Sequence, residues 1–526
     1  MQFNSLAFCV FFAVTVAVHY LVRPRWRWLW LLIASLVFFG YFCYSTYRPE
    51  TTPLATYIWN ILLVIFSLVS VVLLDYFLGI YIDEHKESRP RAAKIALVAG
   101  ILYPLILLLF FKYTNFLNQT IAQIAAFMHL HYPFRILRIV VPLGISYYTF
   151  HSISYLVDIY RGDERAQRHF GMFALYILFF CKMVSGPIER SRRLIPQFRE
   201  IPGFEYGRVM DGLKLMAWGF FQKLVIADRA AIVVNEVFQR PQDYWGIYLI
   251  VAVLCFVFQV YCDFSGYSDI AIGAAQVLGI RLSINFRRPY LATSIADLWR
   301  RWHITLIAWL RDYFYIPMGG KRVSRLRWQY NIFATFILSG IWHGANWTYI
   351  TWAGLNGLYI LISIWTEGIR SRIVSLVGIS RFARVHRAVK IACTFLPFWF
   401  AAIFFRANSM TDAIYIVRHL FTGLDDLFRT LLALDYEGLK SFLVVPNKNT
   451  FLGFSKPAFL PEMLTLLLAI IVMQVIHVIQ EVTNERMRDI IARKPWYVQW
   501  ILYYGLIASI VFLGVFSNQQ FLYFVY

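Results

Sequence analysis

The stretch Arg300-Arg301-Trp302-His303 is followed forty residues later by Gly340-Ile341-Trp342-His343-Gly344-Ala345-Asn346-Trp347. Two imidazoles therefore stand among arginines and tryptophans in a chain that is otherwise mostly apolar. Ionisable groups at membrane depth are costly, and those that occur there do chemistry or line a path. A buried imidazole is held neutral by desolvation and can accept a proton from a hydroxyl. His343, in an apolar helical context, is the candidate general base. His303 and Asn346 supply groups able to orient or polarise a carbonyl, and together the three suit acyl transfer. The competing reading is a pair of core histidines bonded to backbone carbonyls.

The elements that must position these groups are membrane helices. Of 526 residues, 60% are hydrophobic and 15% charged, against roughly 25% charged in soluble domains. Mean hydropathy is +0.58. Apolar runs of about 20 residues, enough to cross a bilayer, recur along the whole length, and roughly 11 to 13 are discernible. The expected fold class is all-α and polytopic, since a membrane β-barrel would show short alternating strands. No repeat, low-complexity tract or linker divides residues 1–526, so a single integral membrane domain is expected.

The net charge of +21 suits cytoplasmic loops, which are enriched in Lys and Arg, and these charges flank apolar runs as orientation signals do. Nucleic acid is therefore not an expected partner; the lipid bilayer is. The apolar run from Phe3 to Val22 is followed, not preceded, by Arg23, Arg25 and Arg27, which fits a first spanning helix with an extracytoplasmic N-terminus. The loop Asp83 to Lys94 and the cluster Arg161, Arg165 and Arg168 fall on the same side by this count. Residues 170–186 are a short apolar run between two basic loops and read as a re-entrant element. Six cysteines lie in apolar runs without CxxC spacing and read as core residues. His129 and His131 lack nearby acidic or cysteine ligands, and no metal site is expected.

From Arg281 to Tyr330 the chain carries Arg300, Arg301 and Arg311 among ten basic residues, with tryptophans and tyrosines interleaved. It reads either as an amphipathic helix in the membrane interface or as a basic floor for an anionic ligand. Asp263 and Asp269 interrupt another apolar helix and need partners there. Salt bridges to arginines of the 281–330 segment are the expected solution, which makes both carboxylates structural. There is no G-x-S-x-G elbow, GxxxxGK loop or HExxH.

Several stretches together resemble the membrane-bound O-acyltransferase family, in its bacterial polysaccharide-acetylating branch. They are Pro142 to Phe150, Asp158-Ile159-Tyr160-Arg161-Gly162, Asp263 to Asp269, Trp299 to His303, Trp309 to Tyr313, Trp342 to Asn346, and Gln520 to Phe524. The likeness is sharpest over residues 139–357. Cys262 departs from the phenylalanine common at that position, which bears on packing. The resemblance implies a ring of tilted helices around a central funnel, with re-entrant and interfacial helices, in a bacterial inner membrane. It implies His343 as the catalytic residue and His303 as a second catalytic-site residue. Arg300, Arg301 and Arg311, with Trp342 and Asn346, become candidate contacts for substrate or donor.

The function so implied is transfer of acetyl groups from a cytoplasmic thioester, acetyl-CoA as co-substrate and no bound cofactor, to an extracytoplasmic polysaccharide such as alginate. An SGNH-hydrolase-like extracytoplasmic partner would complete the transfer. D-alanyl transfer to teichoic acid from a carrier-protein thioester is the neighbouring alternative. A non-catalytic permease or scaffold is the alternative from another class, although no duplicated halves of the kind transporters carry are visible.

Overall fold

The computed structural model describes residues 3–46, 54–132, 141–142, 144–433, 435, 450–452 and 454–516. Their regular structure is helical, apart from one antiparallel hairpin that pairs Thr450–Phe451 with Phe454–Ser455. Among the described residues, seven helices are long and apolar enough to cross a membrane: Pro24–Ser45, Ala55–His85, Pro90–Phe127, Ile247–Val277, Ala383–Arg406, Ala458–Thr483 and Trp496–Leu513. This is the all-α, multi-pass architecture expected. Other apolar runs form helices that are shorter, more polar or interrupted, among them Ile145–Arg161, Arg325–His343 and Trp347–Trp365. The terminal motif Gln520 to Phe524, and Leu143 of the first motif, lie outside the described residues.

The chain packs as two compact units, Met1–Met216 with Ser268–Ile284, and Ala217–Tyr267 with Asn285–Tyr526. In the first unit, residues 172–189 are all buried. Within that run the helix Phe170–Leu178 stops at Phe179 and a single turn, Phe180–Met183, follows. Interrupted backbone at membrane depth is tolerated only where protein or a water-filled cavity surrounds it, and here protein does. His151 closes part of that surround, its Nε2 accepting from Glu189 N at 3.3 Å and its ring edge-on to Tyr176. This gives His151 a packing role. His129 and His131 are exposed.

The second unit carries the candidate site. Lipid tails are as apolar as leucine, so helices here associate by shape, small residues and polar contacts rather than by water exclusion. Gly340 shows the consequence. A Cβ there would lie 2.5 Å from Ala353 Cβ and 2.7 Å from Tyr349 O, so a hydrogen at this position lets Arg325–His343 and Trp347–Trp365 cross in contact. That crossing fixes the helix end on which His343 sits.

The basic segment departs from the single amphipathic interfacial helix that was one expectation. Two seven-residue helices, Ile295–Arg301 and Ile304–Leu310, are separated at Trp302–His303, and a π-helical turn, Arg311–Tyr315, follows. The break has a local cause: His303 has φ 44 and ψ 52, a left-handed conformation that cannot continue a right-handed helix. Trp299, Trp302 and Trp309 are buried, whereas Arg300 and Arg311 are exposed.

Candidate functional site

The first short helix begins with a reciprocal cap. Ser294 Oγ accepts from Asp297 N at 3.1 Å, and Asp297 Oδ2 accepts from Thr293 N at 3.3 Å, satisfying two otherwise open donors. The helix ends at Arg301, and the left-handed turn then brings His303 inward until it is buried. Asn285 holds the far side of that turn: its backbone O accepts from Ile304 N at 2.9 Å. Its Oδ1 accepts from Thr305 Oγ1 at 2.6 Å. A left-handed non-glycine residue stores strain that its surroundings must sustain, and these bonds on both sides of the peptide do so.

His303 stands edge-on to Phe264, ring centroids 4.7 Å apart at 83°. On another side lies Trp342, at 6.2 Å. The same indole is 4.8 Å from the ring of His343, which is also edge-on to Trp352 at 5.1 Å and to Phe405 at 5.5 Å. Two buried imidazoles therefore flank one indole within an aromatic wall. His303 lies outside the seven membrane-crossing helices, and burial lowers its pKa to about 3, so its ring is neutral at physiological pH.

Gly344 continues from His343 in extended backbone, with Tyr349 against it; a Cβ there would lie 2.2 Å from that ring. Asn346 caps the next helix, its Oδ1 accepting from Thr348 N at 3.0 Å while Nδ2 donates to Asn408 O at 3.2 Å. These bonds commit the Asn346 amide to joining two backbone segments, which is a positioning role.

Asp263 has the kind of partner expected but not the expected one. Its Oδ1 is 2.7 Å from Lys223 Nζ, which is also 2.8 Å from Asp228 Oδ1. All three side chains are buried. Lys223 reaches both because it lies in a π-helical stretch, Phe221–Ala227; such insertions redirect side chains and recur at functional sites. Of the arginines in the 281–330 segment, Arg288, Arg301 and Arg311 pair with Glu481, Asp297 and Asp312 instead. Asp269 is half-buried in the other unit.

The candidate donor-binding arginines differ from one another. Arg311 pairs with its neighbour Asp312 at 2.8 Å, and Arg300 is exposed. Arg301 bonds Asp297 at 3.1 Å and Glu481 at 3.0 Å. Lys223, Asp228, Asn285 and Glu481 were not singled out from sequence. A lysine or carboxylate in an apolar run was a usable signal for Lys223, Asp228 and Glu481. Asn285 carried none.

A multi-pass helical protein with two buried histidines on either side of one indole, beside a basic segment, has the make-up of a membrane enzyme of the acyl-transfer type. The chain belongs to the membrane-bound O-acyltransferase family, which it matches over residues 163–410. It is 35% identical over 418 residues to the probable alginate O-acetylase of Pseudomonas aeruginosa, covering 78% of this chain and 73% of that one. It is 30% identical to the peptidoglycan O-acetyltransferase of Helicobacter pylori over 542 residues, 96% of this chain and 92% of the other. A teichoic acid D-alanyltransferase of Bacillus subtilis is 29% identical over 41% of this chain and 56% of its own length. The protein is a membrane-bound acyltransferase.

Proposed function

We propose that this acyltransferase moves acetyl groups from cytoplasmic acetyl-CoA across the inner membrane for O-acetylation of an extracytoplasmic polysaccharide. The observation that carries the reading is the pair of buried imidazoles on either side of Trp342, in a chain with relatives named for O-acetylation of alginate and of peptidoglycan. An imidazole nitrogen of His343 takes the proton of an acceptor hydroxyl as its oxygen bonds to the thioester carbonyl carbon. The C–S bond then breaks, and the proton passes to the leaving thiolate, so the histidine ends neutral. His303, neutral and held rigidly, orients the carbonyl. Acceptor and donor meet in a wall of aromatic rings, where water cannot compete as nucleophile. An extracytoplasmic SGNH-hydrolase-like protein passes the acetyl group to the polymer.

The test is reconstitution in liposomes with labelled acetyl-CoA, the SGNH-hydrolase-like partner and the isolated polysaccharides as acceptors. Wild-type protein releases coenzyme A and labels an acceptor, and His343→Gln lowers the rate by about 10²–10⁴-fold, the usual contribution of a general base. A wild-type protein that ignores acetyl-CoA but uses a D-alanyl carrier thioester would overturn the acetyl assignment. Unchanged turnover in His343→Gln would overturn the role of that residue.

A further inference from the structure

Within the second unit, Arg287 N donates to Arg301 O and Ile304 N to Asn285 O, each at 2.9 Å. These bonds tie residues 285–288 to residues 301–305. Two non-glycine residues in the paired stretch are left-handed, His303 and Arg288, the latter with φ 48. Such outliers gather where a site is built. The left-handed turn at His303 delivers an imidazole to the aromatic wall. The one at Arg288 delivers a guanidinium to Glu481, Nε to Oε2 at 2.8 Å.

That carboxylate is crowded. Arg301 Nη1 donates to both of its oxygens at 3.0 Å, and Arg387 Nη2 donates to Oε1 at 3.2 Å. One bidentate arginine already satisfies a carboxylate. Three guanidiniums converge here, and the other acid in the group, Asp297, forms an ion pair with Arg301. Three cations thus face two anions, an excess that a more highly charged ligand would relieve. Glu481, Arg288 and Arg301 are mostly buried, while Arg387 is 48% exposed, so the group opens to one side. A phosphate offers more oxygens and more charge than a carboxylate and matches several planar guanidiniums at once.

We propose that Arg288, Arg301 and Arg387 form a binding site for a phosphate group of the acyl donor, with Glu481 holding the site while the donor is absent. This rests on the reading of a phosphate-bearing thioester as donor. Arriving phosphate displaces the Glu481 side chain near the end of its helix and leaves the backbone in place. Because Arg301 lies two residues from His303 and their backbones share one pairing, filling the site also steadies the histidine.

The test measures calorimetric binding of coenzyme A to the full chain in neutral detergent free of anionic lipid. Arg387→Ala weakens binding about tenfold, the loss expected of one charge-assisted bond. Glu481→Gln, which removes the internal competitor, tightens it. Neither change alters binding of pantetheine, which has no phosphate, and His343→Ala binds coenzyme A as wild type does. Unchanged coenzyme A affinity in both variants overturns the site, as does Arg387-dependent binding of phosphatidylglycerol nanodiscs without any binding of coenzyme A, which would make it a lipid site. If Glu481→Gln fails to fold, the half-exposed Arg387 decides the matter alone. Normal acetyl transfer with unaltered affinities would sink the site and spare the function. The predicted affinity pattern without acetyl transfer would do the reverse.

Discussion

Trp342 packs against His303 with ring centroids 6.2 Å apart at 63°, although the two residues come from different helical elements. The indole also contacts His343, so it sets the spacing of both imidazoles. Trp342→Ala is expected to lower turnover at least about tenfold by loosening both rings, since misplacement of about 1 Å can cost 10²-fold. Trp342→Phe, which keeps a ring, retains more activity. Steady-state kinetics on the two variants, with abundance checked by immunoblot, reads this directly. Equal activity in both would remove the indole from the site.

The buried Lys223 serves two carboxylates at once. Lys223→Met leaves Asp228 and Asp263 without their shared cation, a loss of about 3–5 kcal/mol by analogy with broken buried pairs. The variant should be depleted from membranes and melt earlier in detergent. Adding Asp228→Asn and Asp263→Asn should recover much of that stability by removing the stranded charges. A triple variant no better than Lys223→Met would show that the lysine acts by packing alone.

His303 has a pKa of about 3 in the folded chain, lowered by burial, against about 6.5 in an unfolded one. The unfolded state therefore binds more protons between these values, and this group's contribution to stability falls as pH drops from about 6.5 toward 3. Above that window the contribution is constant. His303→Gln should flatten the acid side of the stability profile measured by thermal melts at stepped pH. It should leave the midpoint of any acid limb in the rate profile where it was, because His303 is already neutral there. A shift of that midpoint would mean that His303 titrates during turnover.

At Gly340 the two helices leave no room for a methyl group, and its nearest neighbours include backbone. Gly340→Ala is expected to cost about 1–3 kcal/mol, as overpacking does, and to displace His343 at the helix end. Melting temperature and turnover should fall together. A variant that melts normally and turns over normally would show that the crossing is more forgiving than its geometry.

The orientation proposed from charge is open to labelling. Gln2→Cys should react with an impermeant thiol reagent added outside, and Glu87→Cys should not, each in a background lacking the six native cysteines. The reasoning is that Arg23, Arg25 and Arg27 share a side with the basic loop at Asp83 to Lys94. The opposite labelling pattern would invert the topology.

Composition and apolar run length by themselves determined that this is a helical, multi-pass membrane protein, because a bilayer demands long apolar helices whatever else they do. The same logic marked His303 and His343, since polar residues are conspicuous against such a background. Run length alone placed helix ends less well. The helix expected near 139–160 has its cap at Gly144 and runs Ile145–Arg161, and the run begun at 95 extends back to Pro90, because caps and loops set the ends. What the tertiary structure decided is partnership. Asp263 chose Lys223 over the arginines because a π-helical stretch, invisible in hydropathy, turned that lysine inward. Arg301 met Glu481, 180 residues away in sequence. The basic segment folded back at a left-handed histidine instead of running on as one amphipathic helix. Which charges pair and which backbone bends are settled by distances between residues remote in sequence, and no local pattern encodes those distances.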